Sequence, residues 1–233
     1  MSNPYDDWAE KIQYEVYQYW KENHQDWEEG FQVFYSPANE SASILILGIN
    51  PGSGENTDRF KKELNWFEQN DFSLPDEHHY LCNSRPLGDE MVDLLGETII
   101  ENSVKSNVNF FRSKTREELK EELSSLDRMD EWIETLIQKI DPDVIIAEGI
   151  GAYNTLTSEF VDVVEEEKQK REIEVDGKDQ NYNICCVAQT SKDTVVGIPH
   201  LTGRGSYVYD ESHKKIMRDT IRSIIEKNTS INI

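Results

Sequence analysis

Two polar side chains follow short apolar runs at places where the chain turns, and both could do chemistry. Asn50 follows the aliphatic run Ile44–Leu47 and sits between Gly48 and Pro51-Gly52. An aliphatic run that ends at such a corner predicts a buried strand, because proline cannot continue a central strand and glycine adopts backbone angles that other residues avoid. Open α/β sheets bind ligands at the carboxyl ends of their strands, so Asn50 is a candidate ligand-binding residue. The alternative is a turn in which Asn50 is only structural.

His200 occupies the equivalent place later in the chain. It follows the apolar run Val195–Ile198 and opens a loop that continues through Thr202, Gly203 and Arg204. An imidazole N–H can stabilise negative charge that develops on an oxygen atom. A histidine at a strand end is therefore a second candidate catalytic residue, whereas Arg204 has the alternative of being a simple surface residue.

These segments resemble the uracil-DNA glycosylase superfamily. Gly48–Gly52 resembles its first active-site motif, in the form found in mismatch-specific uracil glycosylases. His200–Arg204 resembles its second motif, which is His-Pro-Ser-Pro-Arg in single-strand-selective monofunctional uracil glycosylases; both prolines are missing here. Ser106–Ser113 resembles the Thr-Asn-Val-Val-x-x-Arg-Pro segment of the iron–sulfur branch, and Asp141–Gly149 resembles a Pro-x-x-Ile-x-x-x-Gly strand. The resemblance covers roughly residues 44 to 207.

The resemblance implies a role for each matching residue. Asn50 would position the attacking water, and His200 would donate a hydrogen bond to the oxygen of the departing base. Asn107 would bind the edge of uracil through its amide, with Asn109 as the alternate. The other implied contacts are base-binding Gly48, Ile49, Pro51, Gly52, Tyr80 and Leu87, and DNA-binding Arg112, Thr202, Gly203 and Arg204.

Two departures from the superfamily concern the base and the cofactor. Leu87 stands where the superfamily has an aromatic ring that stacks on the flipped base, and Tyr80 is a nearby substitute. The chain has three cysteines, and iron–sulfur clusters usually take four, so we expect no cluster. We also expect no other cofactor and no metal, and we predict that His78-His79 lies in a solvated loop.

Composition indicates one globular α/β domain over residues 1–233, in which residues 1–40 form a helical extension packed on the rest. The chain has 233 residues, of which 36% are hydrophobic and 10% aromatic. No apolar run approaches the ~20 residues of a membrane span, and no secretory signal segment opens the chain. We therefore expect a cytoplasmic protein, without a membrane partner, and a monomer.

The net charge of −22 opposes DNA binding, because affinity for DNA comes mostly from Lys and Arg that neutralise phosphates. Three explanations stay open: basic groups concentrated at the site, a source organism with high internal salt, or a substrate other than long DNA. If DNA is bound, we expect Arg112 and Arg204 on the same face as Asn50. The acidic runs Glu117–Glu122 and Glu165–Glu167 should point elsewhere.

Hydrophobic periodicity predicts a three-layer α/β/α sandwich with a central, mainly four-stranded parallel sheet. The predicted strands are Ile44–Leu47, Asn107–Phe110, Val144–Ala147 and Val195–Ile198, with further strands near Val33 and Ile173 and a hairpin at Asp176-Gly177. The predicted helices contain Trp8 to Trp20, Phe60 to Phe67 with Thr57 as its cap, Met91 to Ile99, Trp132 to Ile140 and Met217 to Ile225. A capping-box pattern at Thr115–Glu118 predicts one more.

The sequence thus predicts a monofunctional uracil-DNA glycosylase-like enzyme of base excision repair. It would flip a deaminated base from single-stranded or mismatched DNA and hydrolyse the N-glycosidic bond. No lysine is placed to form a Schiff base, so strand cleavage is not expected. One alternative is a weak or inactive module that binds nucleobases or modified DNA, which the acidic charge and the missing ring and prolines favour. The other is a glycosidase of small nucleosides.

Overall fold

The computed structural model describes residues 7–24, 30–51, 57–82, 86–113, 127–175, 178–201 and 210–231. In these residues the fold is a six-stranded mixed sheet with helices on both faces. The strands are β1 Ile44–Gly48, β2 Ser103–Asn107, β3 Val144–Glu148, β4 Val163–Val175, β5 Lys178–Thr190 and β6 Thr194–Ile198. The α/β class predicted from sequence is confirmed.

The helices follow the predicted periodicities with one interruption. They are α1 Trp8–Asn23, α2 Thr57–Glu68, α3 His79–Cys82, α4 Pro86–Leu95, α5 Glu97–Glu101, α6 Asp127–Ile140, α7 Ile150–Thr155, continued as a π-helical turn over Leu156–Phe160, and α8 Glu211–Asn228. The single helix predicted from Met91 to Ile99 is divided at Gly96, whose φ of 87° does not fit a helix. None of the helices in the described ranges combines the length and apolarity needed to cross a membrane.

The sheet order is β2-β1-β3-β6-β5-β4. The first four strands in this order run parallel to one another, and β5 and β4 continue the sheet as an antiparallel hairpin. A sheet of mainly four strands was therefore too small a prediction, although the extra strand near Ile173 is confirmed as part of β4. The predicted number of strands was too low because β4 is a charged edge strand, and only buried strands give long apolar runs. The turn residues Asp176-Gly177 and the Thr115–Glu118 pattern lie outside the described residues.

The second parallel strand begins four residues earlier than the prediction of Asn107–Phe110. The observed strand is Ser103–Asn107, and each of its residues is buried although four are polar. The apolar run that follows forms a turn, and Phe111 pairs with Phe31 in an isolated bridge. The strand predicted near Val33 is absent from the described residues, where this segment instead hydrogen-bonds irregularly to β2, as in the 3.0 Å bond from Tyr35 N to the Lys105 carbonyl.

Alternating side chains of the parallel strands point to two hydrophobic clusters. Leu45 and Leu47 belong to a cluster with α1, α2 and α6, while Ile44 and Ile46 belong to one with α4, α5 and α8. The N-terminal helix α1 is capped by Asp7, whose carboxylate accepts hydrogen bonds from two backbone N–H groups. The helical extension predicted at the N-terminus thus contributes to one face of the core.

The chain order places a topological switch point between β2 and β3, on either side of β1. From β1 the chain crosses to β2 on one side, and it then crosses to β3 on the other side of β1. In open α/β sheets ligands bind at such a switch point, outside the carboxyl ends of the strands. The edge formed by Gly48, Asn107, Glu148 and Ile198 is therefore the place to look for a site.

Candidate functional site

A row of residues lies side by side at the carboxyl ends of the four parallel strands. Asn107 is aligned with Gly48, Gly48 with Glu148, and Glu148 with Ile198. Residues aligned in this way have side chains on the same face of a sheet. Lys105 lies two residues before Asn107 and therefore on that face too. The row places an amide, a carboxylate and an ammonium group near one another.

Gly48 is the one of these aligned residues that has no side chain. A Cβ atom built on Gly48 would lie less than 3.0 Å from Asn107 Oδ1, 3.5 Å from Asn107 Cγ and 3.7 Å from Lys105 Nζ. Real Cβ contacts are essentially never shorter than 3.0 Å. The Asn107 amide therefore lies over the backbone of β1, in space that any other residue at position 48 would fill.

Glu148 is a buried carboxylate with three polar neighbours. Its Oε2 lies 2.7 Å from Lys105 Nζ and accepts a hydrogen bond from the Tyr80 hydroxyl, while its Oε1 lies 3.5 Å from His200 Nε2. Burial alone would raise the pKa of Glu148, but the charges of Lys105 and His200 and the two hydrogen bonds hold the pKa below its ordinary value. The carboxylate is thus ionised at neutral pH.

The ammonium group of Lys105 is enclosed by aromatic rings. Its Nζ lies 5.1 Å from the centroid of Tyr80 and 5.5 Å from that of Tyr35, distances at which a cation is attracted to a ring face. Burial, and next the negative charge of Glu148, raise the pKa of Tyr80 well above its ordinary value, so its hydroxyl stays a hydrogen-bond donor. The cluster of Lys105, Glu148, Tyr80 and His200 is called the ion-pair cluster below.

His78 lies beside this cluster and corrects a prediction. It was expected in a solvated loop, but it is 5% exposed and its Nε2 lies 3.3 Å from Ser103 Oγ. Burial, and next the charge of Lys105, lower the pKa of His78 to about 3. The segment before α3 packs against β2, which buries a histidine that sequence alone suggested was exposed. Within the described residues, His, Cys, Asp and Glu side chains form no group of three that could hold a metal ion.

The amide of Asn50 is fixed by the segment that follows β2. Its Nδ2 donates to the carbonyl oxygens of Pro51, at 3.0 Å, and Ser113, and lies 3.1 Å from Ser113 Oγ. Two carbonyl acceptors require an N–H donor, so these bonds set the orientation of the amide. Each hydrogen bond that the described residues make to this side chain involves the nitrogen. An amide oxygen is a hydrogen-bond acceptor, so Oδ1 has the chemistry to bind a water molecule.

His200 lies at the same edge of the sheet as Asn50. β1 and β6 are parallel members of one sheet, and each residue lies two positions beyond the carboxyl end of its strand. The His200 side chain is 50% exposed. Its Cβ lies 3.9 Å from the place that a Cβ on Gly149 would take, and Gly149, with φ of 102°, turns the chain away at the end of β3. The two predicted catalytic residues therefore share one edge of the sheet.

The two candidate asparagines occupy different positions. Asn107 lies in the row at the strand ends, whereas Asn109 is 1% exposed and its Oδ1 accepts a 3.3 Å hydrogen bond from Phe111 N. Asn109 therefore caps a turn beyond β2. Of the other predicted base contacts, Tyr80 belongs to the ion-pair cluster and Leu87 packs against the hydrophobic cluster on the same face.

The predicted DNA contacts are only partly described. Arg112 is 6% exposed, and its Nη2 lies 3.0 Å from Gln32 Oε1 and 3.6 Å from Glu63 Oε2, so its charge is compensated inside the protein. Glu165–Glu167 lie on β4, the edge strand farthest from β2.

Two further residues predicted to contact the base are in the described part of the chain. Half-buried Ile49 packs against the hydrophobic cluster that contains α1, and the carbonyl oxygen of buried Pro51 accepts the hydrogen bond from Asn50. The predicted residues outside the described ranges are Gly52, Thr202, Gly203, Arg204 and the Glu117–Glu122 run.

Sequence reasoning missed two members of the ion-pair cluster. Glu148 ends the otherwise aliphatic strand β3, and Lys105 stands in the middle of β2. A charged residue within or at the end of a buried strand was the available signal, because such residues are almost never fully buried unless paired.

Comparison of the chain with known protein families found none that matches, and comparison with curated proteins found no match either. The function is therefore argued from the site.

Proposed function

We propose that this protein is a uracil-DNA glycosylase-like enzyme that flips a deaminated base from single-stranded or mismatched DNA and hydrolyses its N-glycosidic bond. The observation that supports this most is the common edge shared by Asn107, Asn50 and His200, which follow or end three parallel strands. Each of the three residues lies in a different segment of the sequence that resembles that superfamily. Their position at the carboxyl ends of strands around a topological switch point is typical of such a site.

The attacking water is assigned to Asn50. Cleavage of a pyrimidine nucleoside leaves an oxocarbenium-like sugar and an anionic base, so the water needs orientation more than deprotonation. The bonds from Asn50 Nδ2 to two carbonyl groups hold Oδ1 in place for this purpose. Because an amide is a weaker base than a carboxylate, we expect slow turnover.

The departing base is assigned to His200 and Asn107. A hydrogen bond from the imidazole of His200 stabilises the negative charge that develops on the base oxygen. The amide of Asn107 offers a donor and an acceptor to the edge of the base. The lack of a side chain at Gly48 gives that amide the room to lie over the backbone of β1.

A second candidate is a hydrolase of free nucleosides on the same site. Two observations favour it: the net charge of −22 and the burial of Arg112 against Glu63, which leaves its charge unavailable to phosphate. The catalytic assignments would be the same, and only the source of the base would differ.

The experiment measures base release from labelled single-stranded oligonucleotides that contain uracil, hypoxanthine or xanthine, and in parallel from the free deoxynucleosides. Asn50→Ala and His200→Ala should each remove most of the activity with an unchanged circular dichroism spectrum. Asn23→Ala is the matched control, because Asn23 is exposed on α1 and its amide donates a hydrogen bond to Tyr19 O within its own helix.

The outcomes separate the candidates. Release from DNA that depends on Asn50 and His200 supports the glycosylase. Release from nucleosides alone supports the second candidate. If the wild-type protein releases no base from any substrate, the enzyme proposal fails, and DNA binding without cleavage would then identify a binding module.

A further inference from the structure

The ion-pair cluster contains a group to which the proposed function gives no role. Glu148 is 4% exposed, yet it is ionised and ends β3 at the same end of the sheet as Asn50 and His200. A buried ion pair is weak evidence for stability, because well-packed apolar residues of similar volume are often as stabilising. A carboxylate buried at this edge therefore calls for another explanation.

The two oxygens of Glu148 face different surroundings. Oε2 takes both buried partners, Lys105 Nζ at 2.7 Å and the hydroxyl of Tyr80. Oε1 faces His200, whose side chain is 50% exposed and lies 3.5 Å away at Nε2. Lys105 and Tyr80 thus hold the carboxylate from within the protein, and its other oxygen is turned towards the half-exposed histidine.

We propose that Glu148 is a positioning residue for His200: it accepts the Nε2–H of the imidazole and so fixes the ring with Nδ1 turned towards the departing base. This inference rests on the proposed function for the identity of the base. A ring held through Nε2 presents Nδ1 away from Glu148, and Nδ1 donates to the base oxygen when it carries a proton. The Glu148 carboxylate then compensates the positive charge of the doubly protonated ring.

The kinetic test uses Glu148→Gln, which keeps the shape of the side chain and removes its charge. We expect kcat for base release to fall about 10- to 100-fold, the range set by one charge-assisted hydrogen bond. KM should stay within about twofold, because Glu148 does not touch the substrate. In a His200→Ala background the same substitution should cost nothing further, because its effect passes through His200.

Two further variants test whether a loss of kcat comes from misfolding or from the general loss of a carboxylate. Glu148→Gln leaves Lys105 buried without a counter-charge, so the Lys105→Met/Glu148→Gln double variant removes both charges and should show the same loss of kcat if the single variant does not fold. Glu166→Gln is the matched control. Glu166 also accepts a hydrogen bond from a tyrosine, Tyr153, and pairs with a lysine, Lys168, both at 2.9 Å, but it lies on edge strand β4. It should leave kcat unchanged.

A spectroscopic readout needs no substrate. The side-chain ¹⁵N signals of His200 should shift between the wild type and Glu148→Gln, or between the wild type and the double variant. The signals of His213, which lies on α8 and pairs with Asp210, should stay in place. Shifted His200 signals without base release from any DNA would overturn the proposed function and leave the positioning role standing. Unshifted signals, a loss confined to KM, or a loss fully additive with His200→Ala would overturn the positioning role.

Discussion

Gly48→Ala is the smallest change that tests the geometry of the site. The new methyl group would lie less than 3.0 Å from Asn107 Oδ1, a separation that real Cβ atoms do not show. The Asn107 amide would have to rotate away from β1, or edge strand β2 would have to separate from β1. Rotation is the cheaper response, because β1 and β2 are held by parallel ladder hydrogen bonds along their whole length.

The expected cost is that of overpacking a buried site, about 1–3 kcal/mol of the free energy of unfolding. For a chain of this length each kcal/mol lowers the melting temperature by about 2–4 °C. Urea denaturation followed by circular dichroism measures the free energy, and base release from a uracil-containing oligonucleotide measures the site. Under the proposed function the activity falls more than the stability explains, because the displaced amide no longer meets the base.

The Gly48→Ala/Asn107→Ala double variant should recover most of the stability lost by Gly48→Ala, because the clash needs both side chains. Gly151→Ala is the matched control. Gly151 is exposed in α7, and among the described residues no atom beyond its chain neighbours and its own helix backbone lies within 4 Å of the place that the new methyl group would take. Alanine should stabilise a helix by about 0.5–1 kcal/mol there. The reasoning is refuted if Gly48→Ala is as stable as the wild type, or if removing the Asn107 side chain restores nothing.

Three further predictions concern the buried groups. Lys105→Met leaves the buried Glu148 without its ammonium partner and should lower the free energy of unfolding by about 3–5 kcal/mol, measured by urea denaturation, with partial recovery when Glu148→Gln is added. His78 has its pKa lowered from 6.5 to about 3 in the folded protein, so the unfolded state binds more protons between these values. Stability should therefore fall as pH decreases from 6.5, by up to ~1.4 kcal/mol per pH unit, and this dependence should be missing in His78→Phe. Exposed Cys82 should react with a thiol reagent in the native protein, whereas Cys185-Cys186, buried and with pKa values raised to about 12 and 11, should react only after unfolding.

Sequence patterns predicted the parts of the fold in which burial and apolarity coincide. Three aliphatic runs, Ile44–Leu47, Val144–Ala147 and Val195–Ile198, are the cores of β1, β3 and β6. Their Pro and Gly corners correctly indicated that Asn50 and His200 follow strand ends. The position of each strand end was therefore predictable from local chemistry.

Polar strands could not be predicted in this way. β2 is Ser-Val-Lys-Ser-Asn, and it is buried because segment 31–36 and the ion-pair cluster satisfy its polar groups. Those partners are distant in sequence: Lys105 bonds to Glu148, which is 43 residues away. The register of β2, and with it the distinction between Asn107 and Asn109, depends on contacts that one sequence does not reveal.

The two edges of the sheet differ in how they resist association with other chains. At β2 the backbone groups of the edge are taken up by segment 31–36, through bonds such as Tyr35 N to Lys105 O. At β4 the edge is exposed, but it has charged residues over Glu165–Lys168 and register shifts near Val163 and Lys170. Charges and bulges on an edge strand oppose pairing with a second strand, which is the first step towards aggregation. The charged residues of β4 thus have a role that does not depend on any substrate, because they oppose self-association of a long and otherwise open β-hairpin.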